Sequence, residues 1–506
     1  MPGRAARRGA SPAPAATLMP AALLIATALA GCNLGPFYQR PPLDIPPAFQ
    51  ATADTAEAAW PPQEWWRNFH SPELDALIAS ARAYNNDLGA AVARVVQADA
   101  QVRISGAPLL PALDATASDS YRRTGLQGSG GTSSFSIDPV TGAPIPRTGS
   151  RRRYFDGRVY TGALQVSYDL DFWGRNRALD QAAQATAVAT RFDQETVALT
   201  VVTSVANTYF QVLAGQDRLA VALRNLRDAE RILGAFRARL TVGTSNALDV
   251  SQQEALVAGQ RANLPSLRNQ IEQQRIALGI LTGLPPERLQ VVGGSLEKLP
   301  LPLVAPGLPS ELLARRPDVA NAEAQLQAEN ANVRAARAAF FPSVQLTASG
   351  GLTSTVLATI TGPGTLVAQL AGNLTQSIFD NGLRRGQLDQ AKGRYDELLA
   401  TYRRAVLQSF TDVEQSLAAL RYTTEQEKLE REAIAVAQRS ADIARAQLQA
   451  GTIDIITSLN TQVTLYNDLD LLTQVRLARF QALVNVYKAL GGGWTQASAA
   501  PQGAES

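Results

Sequence analysis

Residues 338–349 read Ala-Ala-Phe-Phe-Pro-Ser-Val-Gln-Leu-Thr-Ala-Ser, and residues 107–118 read Ala-Pro-Leu-Leu-Pro-Ala-Leu-Asp-Ala-Thr-Ala-Ser. The two stretches lie 231 positions apart. Val102-Arg103 matches Val333-Arg334 at the same offset. A repeat of this length predicts two structurally equivalent halves in one chain.

A second match between the halves follows downstream of each quoted stretch. Leu179–Ala182 recurs as Leu388–Ala391, and Gly243-Thr244 recurs as Gly451-Thr452. The duplication therefore covers most of the chain, whereas an enzyme with a single catalytic site does not need two such copies.

Apolar and polar residues alternate within and after the quoted stretches. Val344, Leu346 and Ala348 alternate with Gln345 and Thr347, and this period of two predicts a strand with one apolar face. Four such strands are predicted, near residues 111–122, 157–171, 341–353 and 365–379. Each has about the ten residues that a tilted membrane-spanning strand needs, although a pair of soluble hairpins would give a similar pattern. A long exposed loop rich in Gly and Ser is expected between the first two strands, at 124–150.

A very long helix is predicted after each pair of strands. Residues 175–240 contain no proline and carry apolar residues every seven positions: Val205, Val212, Leu219, Leu226, Leu233 and Leu240. Mostly small residues occupy the second position of this heptad, which predicts closely packed, supercoiled helices. At 1.5 Å per residue each run forms a rod of about 100 Å. Residues 383–448 form the equivalent run.

Each rod is predicted to end at a tight turn, at Gly243 or Gly451, and to be followed by a returning helix about half as long. Short helices before the strands, at 87–107 and 317–339, would supply the missing half of the pairing. Four strands cannot close a barrel, and an open edge in lipid leaves backbone groups unpaired at a cost of several kcal/mol each. Two chains would give eight strands around a filled interior, whereas three would give twelve and a lumen.

The N-terminus has the three parts of a secretory signal. Arg4, Arg7 and Arg8 precede an apolar run, which closes with Leu29-Ala30-Gly31-Cys32. The apolar run is too short for a membrane-spanning helix. Because this ending resembles a bacterial lipobox, we expect cleavage before Cys32 and a covalent lipid on that residue.

Composition argues against nucleic-acid binding and catalysis. Without the three leader arginines, 44 basic residues balance 44 acidic residues, so binding to nucleic acid has no electrostatic support. His70 is the only histidine and Cys32 the only cysteine. Nucleophilic triads and structural metal sites depend on those residue types. We therefore expect no enzyme activity, no metal site and no cofactor apart from the lipid.

Motifs spread over the mature chain resemble the TolC-like outer-membrane factor family, in its lipid-anchored, NodT-type branch of RND efflux channels. They are, in order, Gly35-Pro36-x-Tyr38-x-Arg40-Pro41, Trp65-Trp66-x-x-Phe69-x-x-Pro72-x-Leu74-x-x-Leu77-Ile78, Asp171-Phe172-Trp173-Gly174-Arg175, Arg316-Pro317-Asp318-Val319, Phe379-Asp380-Asn381-Gly382 and Tyr487-Lys488-Ala489-Leu490-Gly491-Gly492-Gly493-Trp494. The resemblance implies an α+β membrane protein: a trimeric, twelve-stranded β-barrel with four strands per chain, continuous with a twelve-helix coiled-coil α-barrel. It also implies a Gram-negative outer-membrane location, a periplasmic adaptor (membrane fusion) protein, an inner-membrane RND-type pump, and passive conduction of the substrates that the pump delivers.

The resemblance further implies roles for the ends of the rods. Adaptor docking is expected at Val242, Gly243 and Thr244 and at Ala450, Gly451 and Thr452. Alternatively, both glycines simply supply the positive φ of the turn. Where the family carries gate aspartates after the second tip, this chain has Thr457 and Asn460, so Asp249 and Asp454 are the nearest carboxylates for a periplasmic gate.

The predicted segments follow from these patterns. They are a signal peptide (1–31), a lipid-anchored tether (32–62), an equatorial segment with the first short helix (63–110), a β-hairpin (111–171), a long helical hairpin (172–283), a Pro-rich linker (284–316), the second short helix (317–340), the second β-hairpin (341–380), the second helical hairpin (381–490) and a C-terminal tail (491–506). Two alternatives stay open: the outer-membrane component of type I secretion, and a non-conducting coiled-coil lipoprotein that spans the envelope.

Overall fold

The computed structural model describes residues 37–43, 45–46, 49, 60–126, 134–147, 153–289, 291–302 and 309–494. The signal peptide, Cys32 and residues 495–506 lie outside these ranges. The helices are α1 (Pro72–Tyr84), α2 (Asn86–Gly106), α3 (Arg175–Thr241), α4 (Ala247–Thr282), α5 (Pro309–Leu312), α6 (Pro317–Ala338), α7 (Leu383–Ala450) and α8 (Ile455–Ala489). The strands are β1 (Ala112–Leu126), β2 (Ser134–Ile137), β3 (Pro144–Arg147), β4 (Arg153–Leu170), β5 (Ser343–Ser354) and β6 (Leu366–Thr375). Short 3₁₀ helices occupy Trp65–Phe69, Ala107–Leu109, Pro286–Arg288, Leu296–Lys298 and Leu357–Thr359.

The described chain divides into two units. The first contains residues 102–182 and 330–392 together with Phe37, and it includes all six strands. The second contains the remaining described residues, including most of the long helices. Helices α2, α3, α6 and α7 each continue from one unit into the other.

The first unit is organised around an antiparallel sheet with the strand order β1-β4-β5-β6. These are the four strands that the period-two pattern predicts, and that prediction is confirmed. Inside the predicted loop the structure adds a hairpin, in which β2 pairs with β3. The loop interpretation of residues 124–150 was therefore incomplete. Pro144 and Pro146 make β3 hard to predict from the sequence, because proline is unfavourable in most strands. A strand with a single partner, such as β3, tolerates them.

The second unit contains most of the two rods, together with their cores. α3 and α7 have 67 and 68 residues, so the predicted rods are present at about 100 Å each. One core joins α1, α3 and α8 around Trp65, Phe69, Phe210, Phe480 and Tyr487. A second core joins α6, α7 and α8. α8, the returning helix of the second half, therefore contributes to both cores.

Two terminal segments are more firmly packed than the sequence indicates. In the predicted tether, Arg40 forms a two-point ion pair with Glu323 of α6, and Phe49 is buried in the second core. At the other end, the predicted tail begins too early. Gly491 to Trp494 form a tight turn after α8, and Trp494 packs edge-to-face on Phe192 with ring centroids 5.6 Å apart.

Candidate functional site

The four-stranded sheet has one apolar and one polar face across all strands. Leu113, Val166, Ala348 and Leu370 are direct neighbours in one row of the ladder. The row beside it, on the opposite face, contains Asp114, Gln165, Ser349 and Gln369. Leu113 and Leu370 are 66% and 82% exposed within one chain. An apolar face that stays exposed while the other face is polar is the pattern of a barrel between lipid and water.

Aromatic residues delimit the apolar face. Tyr160 and Tyr168 point to this face from β4, eight residues apart, which corresponds to about 26 Å along the strand. Beyond Tyr160, Arg158 donates two hydrogen bonds to the Asp119 carboxylate, at 3.0 and 2.7 Å. The spacing agrees with an apolar band of about 25 Å flanked by aromatic girdles, with charges beginning outside it.

Aromatic packing also marks the other end of the sheet. Trp173 stacks on Phe341, with ring centroids 4.7 Å apart, and its Nε1–H donates to the carbonyl of Pro342 at 2.8 Å. Asp171 accepts hydrogen bonds from the backbone N–H groups of Asn176 and Arg177 at the start of α3. The Asp171-Phe172-Trp173-Gly174 motif therefore fixes the change from strand to rod.

Both outer strands of the sheet have a free edge within one chain. β1 pairs with β4 and β6 pairs with β5, and among the described strands neither has a second neighbour. Because unpaired backbone groups are costly in hydrocarbon, the sheet is incomplete as a membrane wall.

The two tips of the rods have the same backbone structure. Gly243 and Gly451 have φ values of 75° and 74°. The N–H of Thr244 donates to Arg239 O and that of Thr452 donates to Gln447 O, each at 2.9 Å. The N–H of each tip glycine donates to the carbonyl oxygen of the residue that follows that acceptor. Each tip is a Schellman motif, so the glycines have a conformational role. Val242, 72% exposed, shows that the tip is also accessible.

The two candidate gate carboxylates cap the returning helices. Asp249 and Asn246 form a capping box at the start of α4, in which the Asp249 N–H donates to Asn246 Oδ1 at 2.8 Å. Asp454 caps α8 by accepting from the Thr457 N–H at 2.7 Å, and this bond lowers the pKa of Asp454. Thr457 and Asn460 are exposed. Helix capping accounts for the positions of both carboxylates. The Asn246-x-x-Asp249 pattern indicates the first of these caps in the sequence.

A contact between the tips was not foreseen from the sequence. The Arg239 guanidinium donates to the carbonyls of Leu448 and Gln449 at the end of α7, at 3.3 and 3.0 Å. It satisfies acceptors that the last turn of a helix leaves open. One arginine thus ties the first tip to the second, and no sequence signal pairs these positions.

One helix in the described chain is long and apolar enough to cross a membrane. It is α3, but 56% of its most apolar 18-residue window is buried within the protein, as in a core helix. The described residues contain no group of three or more His, Cys, Asp or Glu arranged to hold a metal ion.

The profile of the family described as "Outer membrane efflux protein" matches residues 77–284 and 308–492. The chain belongs to this family. The two matched segments correspond to the two halves of the repeat, separated by the Pro-rich linker. Members are outer-membrane channels of efflux systems, and this efflux protein is accordingly an outer-membrane channel of a Gram-negative efflux system rather than a member of an enzyme family.

Three relatives place the efflux protein within its family. It is 41% identical to the pyoverdine export outer membrane protein OpmQ of Pseudomonas aeruginosa over 435 residues, covering 85% of this chain and 88% of that protein. It is 33% identical to the probable efflux pump outer membrane protein TtgC of Pseudomonas putida, covering 92% and 93%. The open-state structure of the Neisseria gonorrhoeae MtrE outer membrane channel is 28% identical, with a TM-score of 0.79 and coverage of 92% and 99%.

Proposed function

We propose that three copies of this chain form one conduit, in which their strands close a twelve-stranded barrel and their rods close a helical tunnel. The observation that carries the proposal is the sheet with two open edges. Three copies would pair β6 of each chain with β1 of the next. The conduit would conduct passively, with the energy supplied by the inner-membrane pump.

Exposed stripes on the rods support the same assembly. Tyr422, Leu429, Val436 and Ile443 recur every seven residues along α7, and each is more than half exposed. On α4, an exposed heptad row contains Leu248, Ala255, Ala262, Asn269 and Ile276, mostly small or aliphatic. Away from the tips, side-chain contacts connect α4 to α3, α3 to α8 and α8 to α7, so α4 and α7 lie at opposite edges of this row. At the tips, Arg239 joins α3 directly to α7. Large side chains on one edge and smaller ones on the other fit a head-to-tail ring.

Leu429→Glu is expected to disrupt this ring. The charge would lie in the middle of the apolar stripe, where burial without a partner costs several kcal/mol per subunit. Size-exclusion chromatography with light scattering should show a trimer for the natural chain and monomers for the variant, and planar bilayers should lose the conductance. Gln438→Glu, two residues beyond Val436 on the opposite side of the helix, is the matched control. A trimeric, conducting Leu429→Glu variant would contradict the assembly.

We further propose that the tips bind a periplasmic adaptor coupled to an inner-membrane RND-type pump. Both tips present the same backbone motif, so one adaptor hairpin could recognise two sites per chain. The closed end of the tunnel would lie beside Thr457 and Asn460, with Asp249 and Asp454 retaining their capping roles. The names of the 41% and 33% identical relatives favour small-molecule efflux over protein secretion.

Val242→Asp is expected to abolish adaptor binding while leaving the trimer intact. Val242 is exposed and makes little contact within the chain, so the substitution should change stability by less than about 0.5 kcal/mol. Co-purification of adaptor and pump, and drug susceptibility of the strain, measure the effect. Val140→Asp, at an 89% exposed position of the β2–β3 turn, carries the same change away from the tips. Unchanged co-purification of the Val242 variant would contradict docking at the first tip.

Cys32 lies outside the described residues, and we propose that it carries the lipid anchor. The Leu29-Ala30-Gly31-Cys32 ending supports this. Intact-mass measurement of the mature protein is expected to show an N-terminal acylated cysteine, and Cys32→Ser should leave an unprocessed, unacylated chain. A mature mass without acyl groups would contradict the anchor.

A further inference from the structure

A cavity of about 610 Å³ lies between α3 and α8, beside part of the linker that follows α4. α3 contributes Arg224 and Arg227, α8 contributes Arg476, and the linker contributes Ser295 and Glu297. In the row α4-α3-α8-α7 given by the side-chain contacts, α3 and α8 are the two inner helices. A ring built through α4 and α7 would therefore leave this cavity open.

The floor of the cavity is apolar. Val221 is 7% exposed, and Leu223, Leu469 and Leu472 are half-buried beside it. Guanidinium groups stand around this floor, so the cavity has an apolar base and a basic rim. A fully charged ligand would contact only the rim, and a fully apolar ligand would contact only the floor.

The rim carries three arginines and two carboxylates, those of Asp217 and Glu297. Arg476 is paired with Glu427 at 3.1 Å and lies 3.8 Å from Glu297. The remaining carboxylate, that of Asp217, accepts the N–H of Leu296 at 2.9 Å. Arg224 and Arg227, by contrast, make no ion pair or hydrogen bond with any part of the chain that the structure describes.

Arg224 and Arg227 lie one helical turn apart on the same side of α3. Like charges at this spacing repel each other on a helix surface. A carboxylate placed between two guanidinium groups removes that repulsion and accepts charge-assisted hydrogen bonds from both. The unpaired arginines are complementary to the anionic end of an amphipathic molecule, and the apolar floor is complementary to its apolar end.

We propose that this cavity binds a small amphipathic carboxylate, with its carboxylate held by Arg224 and Arg227 and its apolar body on Val221, Leu469 and Leu472. The site is independent of the tips and of the adaptor. It gives the channel wall an affinity for organic anions of the aromatic-acid type.

The test uses 4-(trifluoromethyl)benzoate as the probe and ¹⁹F NMR on the full-length protein in lipid nanodiscs. The probe should bind with a stoichiometry of one per chain, and the neutral 4-(trifluoromethyl)benzamide should bind at least about tenfold more weakly. R224Q combined with R227Q should weaken benzoate binding by at least about tenfold. R403Q combined with R404Q, which removes two exposed arginines of α7 outside the cavity, should have no effect.

Three results would overturn the proposal: no saturable binding to the natural protein, equal binding of benzoate and benzamide, or equal binding to the natural and R224Q/R227Q proteins. R224K combined with R227K retains both charges and should keep binding within about threefold. If the R224Q/R227Q protein does not fold, the R224K/R227K protein takes its place in the test. Adding L472E to the R224K/R227K protein should then abolish benzoate binding.

Discussion

Replacing Gly491 by alanine is expected to prevent the channel from reaching its folded state in normal amounts. Gly491 has a φ of 84°, and an added Cβ would lie 1.8 Å from the carbonyl oxygen of Arg315. The positive φ alone costs about 1–3 kcal/mol, and the overlap with backbone adds a similar amount. Gly493, with a φ of 81° and a Cβ position 2.4 Å from Pro62 O, is subject to the same two constraints. The expected loss is at least about 3 kcal/mol at either position.

The two contributions can be separated with other glycines of the same chain. Gly382 has the same φ of 84° but nothing within 4 Å of its Cβ position, so Gly382→Ala measures the conformational cost alone. Gly294 has open space and no positive φ, so Gly294→Ala should be nearly neutral. Outer-membrane abundance and urea denaturation followed by circular dichroism give the order. A Gly491→Ala protein as stable as the Gly294→Ala protein would contradict the packing of this turn.

The three glycines from Gly491 to Gly493 position Trp494 against two other helices. The N–H of Gly492 donates to Tyr487 O at 2.8 Å and that of Trp494 donates to Gly491 O at 3.0 Å, which ends α8 abruptly. Trp494 then packs with Ala189, Phe192 and Ala324, which belong to α3 and α6. The last described residues therefore join helices from both halves, which a flexible tail would not do.

Periodic features of the fold could be predicted from the sequence. The heptads in 175–240 predict the end of α3 to within one residue. They do so because the apolar residues that pack along a long helix recur at a regular spacing. The strands were found for the same reason. The β2–β3 hairpin was missed because its strands have four residues each, too few to show a period, and β3 contains two prolines.

The contacts that depend on three dimensions could not be predicted. Arg239 and Leu448 are 209 positions apart, and nothing local marks the arginine as a cap for another helix. The unpaired state of Arg224 likewise depends on which carboxylates the folded chain brings near it. By contrast, the capping roles of Asp249 and Asp454 can be predicted from local spacing, whereas the gate that the resemblance implies stays a prediction.

Glu427→Gln is expected to destabilise the rods by about 3 kcal/mol at neutral pH. The side chain of Glu427, on α7, is 1% exposed. It accepts from Arg431 of the same helix at 2.6 Å and from Arg476 and Arg479 of α8 at 3.1 and 2.8 Å. Removing the anion leaves three guanidinium groups around an uncharged amide, two of them largely buried, and such uncompensated charge is costly. Glu432→Gln, at an exposed position five residues further along α7, should change stability by less than about 0.5 kcal/mol.

The pH dependence of this effect has a definite sign. Burial raises the pKa of Glu427, but the hydrogen bonds from Arg479 and Arg476 and the charge of Arg431 outweigh it, so its pKa lies below the ordinary value. A carboxyl group with a lowered folded-state pKa contributes its full stability above the unfolded pKa of about 4.3 and loses it as the pH falls through the folded-state value. The stability difference between the natural and Glu427→Gln proteins, measured by urea denaturation, should therefore be constant from pH 8 to about pH 5 and shrink below about pH 4. A difference that grows on acidification would mean that burial prevails over the arginines, and that the α7–α8 contact is held by its apolar neighbours instead.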